Sequence, residues 1–277
     1  VLLLGEPGSG RSTLARALHA GSRRAAGPLV EVDVASLPSS LFESEIFGYR
    51  AGAFTGAERA IEGRVARAAG GTLVLDQIEE LPLAIQGKLL RLLSERRYAP
   101  LGGSEVEADV RFIATASEDL PLRAARGAFR QDLFYRLEVL AFRLPPLRLR
   151  QADLPAITDH LLADLGERFG RPGLTLAPAA LAWFPDYSWP GNLRELRNLL
   201  ERTLVMSAGG AHDAIPPLDP PPPREAIESR PRPLVEMEQE AIRRALAYTR
   251  GNQTEAAELL GISRKALWEK RKRYGIP

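Results

Sequence analysis

Cysteine does not occur in this sequence, which excludes a disulfide framework and any thiolate metal site. Histidine is scarce: His19, His160 and His212 stand far apart, which argues against a zinc centre. No apolar run reaches the ~18 residues of a membrane span, and nothing ahead of the first strand reads as a secretory signal. An internal repeat is absent too. The chain begins without Met, directly on "VLLLG", and reads as a fragment trimmed at its N-terminus. What remains is ordinary for a cytoplasmic globular protein, with 45% hydrophobic and 26% charged residues. A length of 277 residues suffices for one sizeable core and one or two smaller units.

The net charge of +2 conceals an uneven distribution. The last stretch, "SRKALWEKRKRYGIP", carries Arg264, Lys265, Lys270, Arg271, Lys272 and Arg273 against one acid, Glu269. Such an end either binds nucleic acid or is a solvated helix face.

Up to about residue 145, short apolar runs alternate with amphipathic ones, as in "TLVLD" followed by "IQGKLLRLLSE". That alternation predicts a parallel sheet flanked by helices. From 146 to 210 the strand-like runs stop, and "ADLPAITDHLLADLGERFG", "APAALAWF" and "NLRELRNLLERTLVMSA" predict a small all-α unit. Prolines crowd residues 211–233 and predict an extended linker without helix or sheet. Residues 234–277 are helical again.

"LLLGEPGSGRST" places a glycine-rich loop between a strand and a helix start, where backbone amides and the helix N-terminus cradle phosphate. It fits the P-loop pattern except that Arg11 replaces Lys, a planar and bulkier cation; a plain turn is the other reading. Gly5, Glu6, Pro7, Gly8, Ser9, Gly10, Arg11, Ser12 and Thr13 are the candidate nucleotide-binding residues, with the Ser12 hydroxyl set for Mg²⁺. In "GGTLVLDQIEE" the strand ends on Asp76, a second ligand for Mg²⁺. Gln77 follows, where a hydrolase of this kind usually places Glu; an amide orients water but does not take its proton. Glu79 and Glu80 are expected to begin the next helix and face solvent.

Together these motifs carry a resemblance. Residues 1–207 resemble the AAA+ domain of sigma-54-dependent transcriptional activators, the bacterial enhancer-binding proteins. The resemblance lies in "GEPGSG", "ESEIFGYRAGAFTGA", "GGTLVLDQI", "FRQDLFYRL", "LPPLR" and "WPGNLREL", and the C-terminal unit resembles their Fis-type helix-turn-helix. The implied fold is an α/β P-loop AAA+ domain with a small all-α lid and a C-terminal all-α helix-turn-helix domain. "GAFTGA" alone is a turn by composition. In the family, the equivalents of Gly52, Ala53, Phe54, Thr55, Gly56 and Ala57 form a loop that touches sigma-54. Arg130 and Arg136 match the family's arginine fingers, which act on the neighbouring subunit's nucleotide, and Arg194 matches the lid's sensor arginine. The resemblance implies ATP and Mg²⁺ as cofactors. It implies sigma-54 RNA polymerase, enhancer DNA and further copies of the chain as partners, a dimer through the C-terminal unit and a hexameric ring through the AAA+ domain. No membrane is involved.

The departures cluster on hydrolysis. Arg11 and Gln77 replace Lys and Glu, Asp33 stands where the family has Asn, and Ala116 and Ser117 replace Thr-Asn on the sensor strand. The exchanged pair Asp33 and Gln77 would keep a hydrogen bond between them, and Asp33 is a candidate substitute base.

In "NQTEAAELLGISRKALWEKRKRYG", Thr254 to Leu260 predicts a short helix, Gly261 a turn, and Ser263 the cap of a second helix. Ala256, Ala257, Leu260, Ile262 and Leu267 are expected to pack inward and Trp268 to pack with them. Ser263, Arg264 and Lys265 then lie where a recognition helix meets bases, with Lys270, Arg271 and Arg273 placed for phosphate. Two functions compete: an ATP-driven sigma-54 activator, or a DNA-binding regulator whose nucleotide site binds without useful turnover. A small-molecule phosphotransferase leaves the basic end unexplained.

Overall fold

The computed structural model describes residues 1–176, 183–206, 214–215, 234–249 and 252–275. The chain divides into two compact units, Val1–Pro220 and Pro221–Pro277.

In the larger unit, Leu29–Asp33, Thr72–Asp76, Arg111–Ala116, Leu2–Leu4 and Ala141–Arg143 lie side by side in that order, all parallel. The central strands are buried on both faces, which is why they read as unbroken apolar runs. Side chains still alternate. Leu2, Leu4, Leu73, Leu75, Ala114 and Ala116 enter one core layer, while Leu3, Val74 and Ile113 enter the other beside Ala15 of the Arg11–Ala20 helix. The helices Leu83–Glu95 and Gln131–Leu137 cover the first layer with Leu89, Leu92, Leu133 and Phe134. The doubly covered parallel sheet expected from the alternation is therefore present. Its register sets Asp33 opposite Asp76, so the strand ends gather the polar residues on one rim, where open α/β sheets bind ligands.

Two short hairpins leave this framework, and the strand–helix alternation announces neither. Gly48–Tyr49 pairs antiparallel with Ile61–Glu62, and Arg97–Tyr98 with Val106–Glu107. They touch through Arg50 N donating to Leu101 O at 3.0 Å and Leu101 N donating to Gly48 O at 2.9 Å.

The helical part of this unit is built on Leu154–Arg168 and Asn192–Met206, packed around Leu162, Leu165, Phe184, Trp189, Leu196 and Leu200. Trp189 is fully buried, and its indole donates to Phe184 O at 3.0 Å. Six residues of the expected helix "APAALAWF", 177–182, lie outside the described residues, as does His212. The expected linker differs at its start. Ala214–Ile215 forms a parallel pair with Thr175–Leu176, because the prolines begin only at Pro216 and leave both residues free to pair.

The smaller unit contains the helices Leu234–Tyr248, Gln253–Leu259 and Arg264–Tyr274 around Ile242, Ala245, Ala256, Ala257 and Leu267, with Leu260 and Ile262 against them. All five residues expected to pack inward do so. The second helix starts one residue earlier than expected because Asn252 caps it, accepting from Thr254 N and Glu255 N.

Candidate functional site

The loop after Leu2–Leu4 runs from Gly5 to Gly10 and delivers Arg11, Ser12 and Thr13 to the start of the helix. Gly8 sits at φ 77°, and a Cβ there would lie 2.3 Å from Gly191 O, so this position requires glycine for the close approach of the lid. Pro7, Gly8, Gly10, Arg11, Ser12 and Thr13 line a cavity of about 920 Å³, with Asp76, Gln77, Glu79 and Ser117 along the strand ends and Arg150, Ile157, Leu161 and Arg194 from the lid. That size accommodates a nucleoside triphosphate, and the apolar lid residues offer one end to a base. Ser9 is buried and its hydroxyl has no partner among the described residues.

Arg11 is buried, and its guanidinium donates to Gly5 O at 3.0 Å. That uses one of its donors and none of its charge. Neither Arg11 nor Arg194 forms an ion pair among the described residues, so two unneutralised cations line the cavity. Other lid charges are matched: Arg150 pairs with Asp153, and Arg197 with Asp164.

Ser12 Oγ donates to Asp76 Oδ2 at 3.0 Å. This is close to the separation of about 2.9 Å between adjacent oxygens around octahedral Mg²⁺, and both are the hard oxygen donors that ion takes. The two residues fit a magnesium site completed by phosphate and water. Thr115 donates to the other Asp76 oxygen, and its hydroxyl also accepts from Gln77 N at 3.2 Å. Sequence reading missed Thr115; its signal is a hydroxyl on the strand beside Asp76.

Gln77 Nε2 donates to Asp33 Oδ1 at 3.0 Å, the hydrogen bond expected of the exchanged pair. Asp33 is exposed, accepts from Ala35 N with the same oxygen, and does not line the cavity.

Glu79 overturns its expectation. Instead of starting the next helix in solvent, it lies in a tight turn, Ile78–Glu80, ahead of Leu83–Glu95 and is 91% buried. The cause is local backbone geometry. Gln77 adopts a left-handed conformation, φ 59° and ψ 53°, which turns the chain back toward the sheet. Glu79 Oε1 then accepts from Ser117 N at 2.9 Å, while only Glu80 is exposed.

Glu6 ties the loop to the lid. Arg148 donates to both of its oxygens, and Asn192 Nδ2 donates to Oε2 at 3.1 Å. Arg148 first, and Asn192 with it, hold the Glu6 carboxyl below the ordinary glutamate range against the opposing effect of burial. Asn192 is fully buried at φ 51° and also donates to Pro7 O and accepts from Leu147 N. Asn192 lies within "WPGNLREL", but only folding brings these partners to it, so spacing along the chain does not reveal its role.

Arg130 and Arg136 stand apart from the cavity. Arg130 pairs with Asp132, and Arg136 donates to Leu93 O at 3.0 Å. The loop from Gly52 to Ala57 tips the first hairpin. Gly52 and Gly56 take φ 79° and 95° in open space, and Gly52 N donates to Ala57 O at 2.8 Å, closing the turn. Ala57 is buried, Ala53 half-buried and Thr55 exposed. Phe54 is 48% exposed, its ring centroid 4.9 Å from that of Tyr49.

In the smaller unit Ser263 caps the last helix, its hydroxyl accepting from Ala266 N at 3.1 Å. Arg264, Lys265 and Arg273 are exposed and Arg271 is half-buried. Lys270 instead forms an ion pair with Glu238 of the first helix, whose carboxyl it holds below the usual range. Trp268 does not pack: it is 56% exposed, with Lys272 Nζ 5.3 Å from its ring centroid. Leu267 fills the inward position of that turn, and the next residue is rotated about 100° away from it. The exposed basic face thus gains Trp268 and Lys272.

Residues 1–143 match the sigma-54 interaction domain, residues 148–216 the AAA+ ATPase lid domain, and residues 233–274 the Fis family of bacterial regulatory proteins. Regulatory protein AtoC of Escherichia coli K12 is 42% identical over 288 residues, covering 100% of this chain and 62% of AtoC. The C4-dicarboxylate transport transcriptional regulatory protein DctD of Rhizobium meliloti is 41% identical over 277 residues, covering 100% of this chain and 59% of DctD. NtrX from Brucella abortus, solved in complex with ATP, superposes with a TM-score of 0.71 at 33% identity, covering 99% of this chain and 63% of NtrX. The chain therefore spans less than two-thirds of each of these relatives. With a sigma-54 interaction domain, an AAA+ lid and a Fis-type helix-turn-helix in one chain, it belongs to the sigma-54-dependent transcriptional activator family.

Proposed function

We propose that this chain binds enhancer DNA through its C-terminal unit, holds ATP between the glycine loop and the lid, and uses it to press Phe54 and Thr55 against sigma-54 polymerase. The observation that carries the reading is Phe54, a large aromatic kept half-exposed on a hairpin tip whose neighbour Ala57 is buried. An exposed ring on an ordered support is what a binding hot spot needs. Arg11 and Arg194 face the phosphates, and Ser12 and Asp76 hold Mg²⁺, which neutralises phosphate charge when bound. NtrX was solved with ATP, which supports the same ligand here. Arg130 and Arg136 reach the nucleotide of a neighbouring subunit in a hexameric ring, and the smaller unit dimerises on a palindromic site. Ser263, Arg264, Lys265, Trp268 and Lys272 meet the bases and nearby backbone, while Arg271 and Arg273 take phosphates. The protein works in the cytoplasm.

The hydrogen bond from Gln77 to Asp33 links the cavity to the loop. Asp33 caps the turn Val34–Ser36, which leads to the helix Phe42–Phe47 and on to the Gly48–Tyr49 arm of the hairpin. Movement of Gln77 with the nucleotide state is thereby passed to Phe54. The test is transcription from a sigma-54 promoter with purified components. Phe54→Ser should abolish open-complex formation while ATP and enhancer binding persist; full activity in Phe54→Ser removes the proposal.

A second reading keeps DNA binding but makes nucleotide a structural ligand. Its support is Gln77, which has no proton-accepting carboxylate. Steady ATP turnover at ring-forming concentration excludes it.

A further inference from the structure

We infer that Glu79 is the general base of this cavity, standing in for the carboxylate that Gln77 lacks. The inference rests on the cavity being an ATP site. Among the described residues four carboxylates line it: Asp76, Glu79, Asp153 and Asp164. Ser12 and Thr115 engage both oxygens of Asp76, and Asp153 and Asp164 each face an arginine. Glu79 is different. Its Oε1 is anchored by Ser117 N at 2.9 Å, and its Oε2 is buried without a partner among the described residues. Buried polar atoms are almost always hydrogen-bonded, so an orphan carboxylate oxygen on a residue that lines a cavity calls for a partner. The anchored oxygen holds the side chain in one orientation, and the other is left for a water. Asp33, the alternative substitute, is exposed and outside the cavity.

In the step, a water oxygen bonds to the γ-phosphorus while the bond from that phosphorus to the β–γ bridging oxygen breaks. Its electron pair leaves on ADP, and the water's proton passes to Glu79 Oε2, from which it returns to phosphate or solvent. Gln77 helps orient the water without taking the proton.

Glu79→Gln decides the matter, because the amide oxygen can still accept from Ser117 N while the base is lost. Glu80→Gln removes the same charge from the exposed neighbour. Affinity for a fluorescent ATP analogue, ATP turnover at ring-forming concentration, and the nucleotide recovered from the complex are measured together. Glu79→Gln should bind within about threefold of the parent, turn over at least about 100-fold more slowly, and yield ATP where the parent yields ADP. Glu80→Gln should match the parent throughout. Turnover of Glu79→Gln near the parent rate overturns the assignment. A parallel loss of binding and turnover overturns it too, making Glu79 a support for Ser117. A parent that binds ATP but never hydrolyses it overturns the assignment and leaves the nucleotide site standing, whereas a parent that binds no ATP removes both.

Discussion

The nucleotide cavity and the helix-turn-helix are assembled in opposite ways. The cavity draws Gly8, Asp76, Ser117 and Arg194 from strands, loops and a lid far apart in the chain. The helix-turn-helix completes its caps and its turn between Asn252 and Gly275. A site collected from distant segments depends on every element that docks them. A site built from neighbouring turns depends on local bonds, each of modest strength. The two should therefore fail differently under substitution.

The largest effect should come from Trp189→Ala. The indole is fully buried against Phe184 and stands just before the Gly191–Arg194 segment that closes the cavity. Its loss should cost about 3–5 kcal/mol. Calorimetry should show the larger unit melting earlier and nucleotide affinity falling, with the smaller unit unchanged. If both units shift together, the two sites do not fail independently. A smaller effect, about 1 kcal/mol, is expected for Ser263→Ala, which removes the acceptor for Ala266 N. It should lower the melting temperature of the smaller unit alone and leave ATP affinity untouched.

The smallest effect should come from the Glu6–Arg148 pair, which is partly exposed and worth no more than about 1 kcal/mol. The folded state lowers the Glu6 pKa, so its contribution is complete above the ordinary glutamate value and disappears as pH falls through the lowered one. The melting-temperature gap between the parent and Glu6→Gln should be present at neutral pH and close below about pH 4. A gap that widens in acid contradicts the assigned cause.

How much of this was legible beforehand follows the same division. The glycine loop, Asp76 at its strand end, the capping Ser263 and the inward-facing Leu267 all follow from spacing along a few residues, and each is where spacing put it. The burial of Glu79 escapes the sequence because helix patterning assumes ordinary backbone angles, and Gln77 breaks that assumption. Lys270 drew the same assignment as its basic neighbours, since no sequence pattern reveals that Glu238 waits on the preceding helix. Trp268 does not pack inward as expected, because Leu267 already fills that turn.

By itself the sequence determined the class of the protein: a parallel sheet under helices, a phosphate loop and a basic helix-turn-helix. These depend on periodicity and short-range steric rules, which act between near neighbours. Tertiary structure alone decided that Glu79 joins Asp76 in lining the cavity, that Arg11 and Arg194 have no ion-pair partner among the described residues, and how Asn192 joins loop to lid. Those outcomes depend on direction and desolvation, which arise only when segments distant in the chain exclude water from one another.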